Sequence, residues 1–237
     1  MQLHLDHTGT ETLPVPGDAA LVAAVRGGDV AAFVTLVGRH EPAMRRLARV
    51  LDPLQVSEDP VSDALAVACT SLTRGHGPAL ALRPYLLLLV NQLHTLRAAG
   101  YVEPLFGDDA VFTARPFADH AVQGGHGRRT VEAVAVLPEA WQAVLWHLDV
   151  ERDSPATVAL LLGVPAGSVL ALAERARHVV CSGAPESAMP GMLGRALADN
   201  LLGLHAAEYL TLAAATSGPP AQRRRGGLPL PHRRRPV

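Results

Sequence analysis

Residues 154–177 read SPATVALLLGVPAGSVLALAERAR, and the order of residue types in that stretch specifies two helices joined by a tight turn. Ser154 is a good N-cap, and Pro155 after it has a fixed φ that suits the first helical position. The apolar run to Leu162 makes the first helix. Gly163 supplies the turn, because glycine enters the left-handed conformation that ends helices at little steric cost. Apolar spacing then resumes at Ala166 and holds to Val180, which predicts a second helix and hence a helix-turn-helix. Just upstream, Pro138 and Glu139 open a helix containing Trp141, Val144, Leu145 and Leu148, preceded by a short one over 130–136. The spacing suits a compact trihelical unit.

Composition extends this reading to the whole chain. Apolar residues make up 49% and aromatics only 4%, so the interior must be built from Ala, Leu and Val, of which Ala and Leu favour helix. Neither Lys nor Ile occurs, as expected of codon bias in a GC-rich bacterial genome. An all-α protein is predicted, and its 237 residues fit two small helical domains and a linker. Cys69 and Cys181 lack paired spacing and read as buried, reduced thiols. No signal peptide or membrane-length apolar run is visible, which points to a cytoplasmic protein with no membrane contact.

Residues 1–17 read as a flexible leader. Asp18 is the expected cap of a helix over 19–26, and Gly27-Gly28-Asp29 ends that helix and caps a second. Pro42 is expected to bend the second helix rather than end it. A third helix, capped by Ser57, carries Glu58 and Asp59 in its first turn, where the helix dipole favours them. A fourth, over 83–99, is apolar nearly all round from Tyr85 to Val90 and should be the buried centre of a four-helix domain spanning 18–100. Periodicity fails over 101–127, the expected linker. The trihelical domain occupies 128–182 and a helical extension 183–218. Residues 219–237 form an Arg- and Pro-rich tail expected to be disordered.

The stretch "DAALVAAVRGGDVAAFVTLVGRHEPAMRRLARVL" (18–51) and the following "SEDPVSDAL" resemble region 2 of the bacterial extracytoplasmic-function sigma factors. "LPEAWQAVLWHL" (137–148) and residues 154–177 resemble their region 4. The resemblance implies a four-helix domain and a helix-turn-helix domain. The implied function is transcription initiation, in which the protein binds core RNA polymerase and directs it to promoter DNA. Glu58, Asp59 and Asp63 match the acidic positions that dock on the polymerase clamp in the family. An anti-sigma factor or other transcription regulator is a further candidate partner.

The residues also depart from the family pattern. The helix whose counterpart engages the melted strand keeps Asn91 and Arg97 but has Leu at positions usually polar, and Tyr85 reads as core packing rather than a base-stacking platform. In the second helix of the helix-turn-helix, Leu170, Ala171, Leu172 and Glu174 replace the donors that base readout requires. Arg175 and Arg177 remain, and Ser168 can reach a phosphate. Residues 128–177 hold five Arg against six carboxylates, so this unit has no long-range pull on DNA, unlike a tail with Arg223, Arg224, Arg225, Arg233, Arg234 and Arg235. The expected DNA-contact set is therefore Arg97, Ser168, Arg175, Arg177 and the six tail Arg. The alternative function is a sigma-derived interaction or regulatory protein that kept partner binding and lost promoter recognition. His205 lacks the cysteines of a zinc site, and no HExxH, Walker or GxSxG pattern occurs, so neither metal, cofactor nor enzymatic activity is expected.

Overall fold

The computed structural model describes residues 15–54, 59–100, 111–117 and 127–217, and among them every regular element is helical. The first half holds α1 (Asp18–Arg26), α2 (Val30–Leu51), α3 (Pro60–Thr73) and α4 (Leu82–Ala98). The second half holds α5 (Arg128–Ala135) and α6 (Glu139–Leu145), then a π-helical turn (Trp146–Val150), then α7 (Pro155–Leu162) and α8 (Ala166–Gly183). After a short 3-10 turn come α9 (Met192–Leu202) and α10 (Ala206–Ser217).

Capping follows the sequence with two shifts. Asp29 accepts from the backbone N–H of Ala31 and Ala32 at 2.8 and 3.2 Å and starts α2 as expected. Asp18 is instead the first residue of α1, with Gly17 at the N-cap. Its carboxylate is drawn inward by Arg39 and His40, two partners that lie 21 and 22 residues away along the chain. Asp59, not Ser57, caps α3, accepting from Val61 N at 3.0 Å. Ser57 lies outside the described residues. Pro42 sits inside α2, which continues past it to Leu51.

The centre of the first half is α4, whose residues from Leu82 to Val90 are all buried. Burying one Leu side chain contributes roughly 1.5–3 kcal/mol, so the Leu86–Leu89 run is a main source of stability. Tyr85 is part of this core, with its hydroxyl donating to Phe112 O at 2.9 Å. Residues 111–117, inside the expected linker, pack against the same core through Phe112 and Phe117. One continuous apolar cluster joins Met44 and Leu87 to Trp146, Val180, Leu197 and Tyr209. A second, smaller one fills the helix-turn-helix with Val144, Val158, Leu162, Val169 and Ala173.

The helical extension expected over 183–218 is broken at Gly203, whose φ of 56 and ψ of -126 suit glycine alone. Helix α9 lies so close to the π-helical turn that a Cβ on Gly194 would fall 2.2 Å from the Asp149 carbonyl oxygen. No single helix among the described residues is long and apolar enough to cross a membrane.

Candidate functional site

The helix-turn-helix forms where the residue order predicts it. Ser154 Oγ accepts from Thr157 N at 3.1 Å, and Gly163 turns the chain in the left-handed region at φ 68. Helices α7 and α8 meet at 96°. The buried stripe of α8 is Val169, Ala173, Ala176 and Val180. Its solvent side presents Leu170, Glu174, Arg175, His178 and Val179, and Ser168 is half-buried. Leu170 and Val179 are 53% and 43% exposed, so hydrocarbon takes up part of the solvent face of α8.

The two arginines of α8 differ. Arg175 is exposed, whereas Arg177 makes a bidentate pair with Asp149, Nε to Oδ2 at 3.2 Å and Nη2 to Oδ1 at 3.0 Å. Arg177 therefore anchors α8 to the π-helical turn.

On the first half, Asp59 is committed to its cap and also accepts from Ser62 Oγ at 3.1 Å, with Arg45 Nη1 at 3.5 Å. Asp63 pairs closely with Arg97. A carboxylate expected to meet polymerase and an arginine expected to meet DNA are thus joined across α3 and α4. Asp63 is 28% exposed and Arg97 17%, so both retain contact with solvent. Glu58 and Arg223, Arg224, Arg225, Arg233, Arg234 and Arg235 lie outside the described residues.

Sequence reading missed a buried polar network between the halves. Asp18 accepts from Arg39 Nη1 at 2.7 Å and from His40 Nε2 at 2.8 Å. Arg83 on α4 reaches His40 Nδ1, the Arg39 carbonyl and Asp153 Oδ2, and His147 also binds Asp153. Arg46 on α2 pairs with Glu151, which also accepts from Trp146 Nε1 at 3.1 Å and Tyr209 Oη at 2.6 Å. The only signal in the sequence was Arg46 and Arg83 lying among core positions of apolar helices, where an unpaired charge would not be tolerated.

Burial pushes the His40 imidazole down to about 4, against the opposing pull of Asp18, and Arg83 depresses it further. Burial alone would raise the carboxyls of Asp18 and Asp153, but the hydrogen bonds from His40 and Arg39, and from His147 with the charge of Arg83, outweigh it and hold both below the usual value. Burial, reinforced by Glu151, holds the Tyr209 phenol well above its ordinary value. It is a neutral donor at any physiological pH.

No protein-family model matches the chain. It is 33% identical over 165 residues to the ECF RNA polymerase sigma factor SigM in each of two strains of Mycobacterium tuberculosis, an alignment covering 68% of this chain and 81% of the relative. That identity, over a share of both chains too large for one shared motif, accounts for the all-helical fold with its helix-turn-helix. This chain belongs to the ECF RNA polymerase sigma factors.

Proposed function

We propose that this protein binds core RNA polymerase and directs it to promoter DNA, acting by association rather than catalysis and working in the cytoplasm where the polymerase is. The observation that carries the reading is the identity with SigM over four-fifths of that protein's length. Residues 18–100 are read as the polymerase-binding domain and 128–182 as the promoter-facing one, with 101–127 linking them and 183–218 as an added extension.

Glu58, Asp59 and Asp63 are the proposed polymerase contacts, since carboxylates at a helix start can pair with basic residues of a partner. Arg175 and Ser168 are the proposed contacts of α8 with DNA, Arg97 that of α4, and the tail Arg supply nonspecific attraction. Arg177 can serve DNA only by leaving Asp149. An anti-sigma factor remains a proposed partner.

Co-purification with core polymerase tests the reading. Charge reversal at Asp59 would also destroy the cap of α3, so Asp59→Asn and Asp63→Asn are the cleaner variants. Combined with Glu58→Gln, they should weaken co-purification mainly at low salt. Unchanged binding removes this surface.

A second reading is a protein that kept polymerase binding and lost promoter recognition. The observation behind it is the exposed hydrocarbon of Leu170 and Val179 on α8. Retained polymerase without promoter-dependent transcripts would establish it.

A further inference from the structure

Tyr209 is completely buried, and its hydroxyl stands between groups of opposite charge. It donates to Glu151 Oε1 at 2.6 Å and accepts from Arg46 Nη2 at 3.1 Å, while the Arg46 guanidinium carbon lies 5.0 Å from the ring centroid. Arg46 belongs to α2, Glu151 to the segment leading into the helix-turn-helix, and Tyr209 to α10. One hydroxyl thus joins both halves and the extension. The extension reaches the first half a second time through α9, where Asn91 Nδ2 donates to the Leu201 carbonyl at 3.1 Å.

The remaining links between the halves include several polar ones. Glu139 accepts from the backbone N–H of Leu80 and Ala81, and Arg83 pairs with Asp153 at 3.0 Å. Buried ion pairs of this kind give geometric specificity with little net stabilisation, because desolvation offsets their attraction. The segment that carries both carboxylates is also strained. It begins in a π-helical turn and holds Arg152 at φ 60, a left-handed conformation unfavourable for a side chain with a Cβ. Strain of this sort persists only while surrounding contacts hold it.

We propose that the extension, α9 and α10, is an intramolecular clasp, seated through Tyr209 on Arg46 and Glu151, that holds the helix-turn-helix against the first half. When α10 leaves its seat, Glu151 loses a donor, water reaches the ion pair, and the segment over 146–153 relaxes. The halves then part. The clasped form is the resting form of the protein, and its release raises affinity for core polymerase, a step that rests on the function proposed above.

The buried face of α10 is Ala206, Tyr209 and Ala213, each at most 1% exposed. Ala213→Asp puts a carboxylate on that face and unseats α10 without altering any residue of the ion-pair network. Spin labels on Ala66→Cys of α3 and His178→Cys of α8, both exposed positions, report the separation of the halves in a Cys69→Ser, Cys181→Ser protein. A second pair, Ala66→Cys with Ala215→Cys, reports the seat of α10. The 66–178 distance should lengthen by more than a helix diameter, about 10 Å. If the clasped form is nine-tenths populated, the Kd for core polymerase should fall about tenfold.

An unseated α10 with the wild-type 66–178 distance overturns the clasp, and separated halves with an unchanged Kd overturn its role as the resting form. Should Ala213→Asp fail to fold by circular dichroism, Tyr209→Phe combined with Asn91→Ala and with Thr216→Ala, whose hydroxyl accepts from Arg46 Nη1 at 3.2 Å, removes these three polar anchors and keeps the packing of the ring. That protein should show an added longer distance, and a wild-type distribution overturns the proposal. If no form binds polymerase, the functional reading fails and the affinity step with it, while the distances, measured on the free protein, still decide the clasp.

Discussion

Arg83 directs its Nε at Nδ1 of His40 across 3.3 Å, and the opposite ring nitrogen of His40 lies 2.8 Å from Asp18. A donor aimed at Nδ1 requires that nitrogen to be bare, so the imidazole is neutral and gives its one proton to Asp18. Burial makes the same demand and holds His40 at about 4. Protonation would cost the Arg83 contact and place a second cation beside a buried one.

A pH dependence follows with a definite sign. The unfolded chain takes up a proton near the ordinary histidine value of 6.5 and the folded one only near 4. Stability from His40 is therefore full above 6.5 and lost as pH falls through that window, by about 3 kcal/mol in all. Urea unfolding at pH 7 and pH 5 should capture about 2 kcal/mol of it. His40→Gln should flatten the difference, and an equally steep loss in that variant assigns the effect to other groups.

Glu151→Ala should be strongly destabilising, by about 3–5 kcal/mol, because it strands Arg46 with its charge buried. Arg46→Met combined with Glu151→Gln removes both charges, keeps an acceptor for Trp146 Nε1 and Tyr209 Oη, and should recover much of the loss. A double-mutant cycle in urea reads the coupling, and additive single effects would mean the pair is solvated.

Gly194→Ala reverses the usual helix rule. Alanine inside a helix ordinarily stabilises by about 1 kcal/mol relative to glycine, yet here its Cβ would overlap the Asp149 carbonyl, a backbone atom that cannot rotate away. The melting temperature should drop, whereas Gly38→Ala in α2, with open space around it, should leave it equal or higher.

Nonspecific DNA binding should depend on the tail. Six Arg engaging a duplex give a log–log salt slope of about five, and deleting residues 221–237 should reduce both affinity and slope. Arg175→Ala should change promoter choice more than overall affinity. Fluorescence anisotropy at several salt concentrations separates the two, and a truncated protein with the full slope would move the electrostatics elsewhere.

Local chemistry made much of this fold legible. The helix-turn-helix was readable because Ser154, Pro155 and Gly163 act on their immediate neighbours, and α4 because Leu86–Leu89 leaves no polar face. The network of Asp18, His40, Arg46, Arg83, Glu151 and Tyr209 was not, because its bonded partners lie up to 163 residues apart and each alone resembles an ordinary surface residue. The pairing of Asp63 with Arg97 was hidden for the same reason, since the resemblance assigned them to different partners. The break at Gly203 was lost in a periodic segment that a single glycine can interrupt without altering its apolar spacing.

The most direct test of the account is run-off transcription from genomic fragments with core polymerase and the full chain. Discrete transcripts that core polymerase alone does not make, and that vanish when the protein is left out, are the result predicted for a sigma factor that selects promoters. Polymerase retained on the protein with no such transcript would contradict promoter selection and leave a polymerase-binding protein in its place.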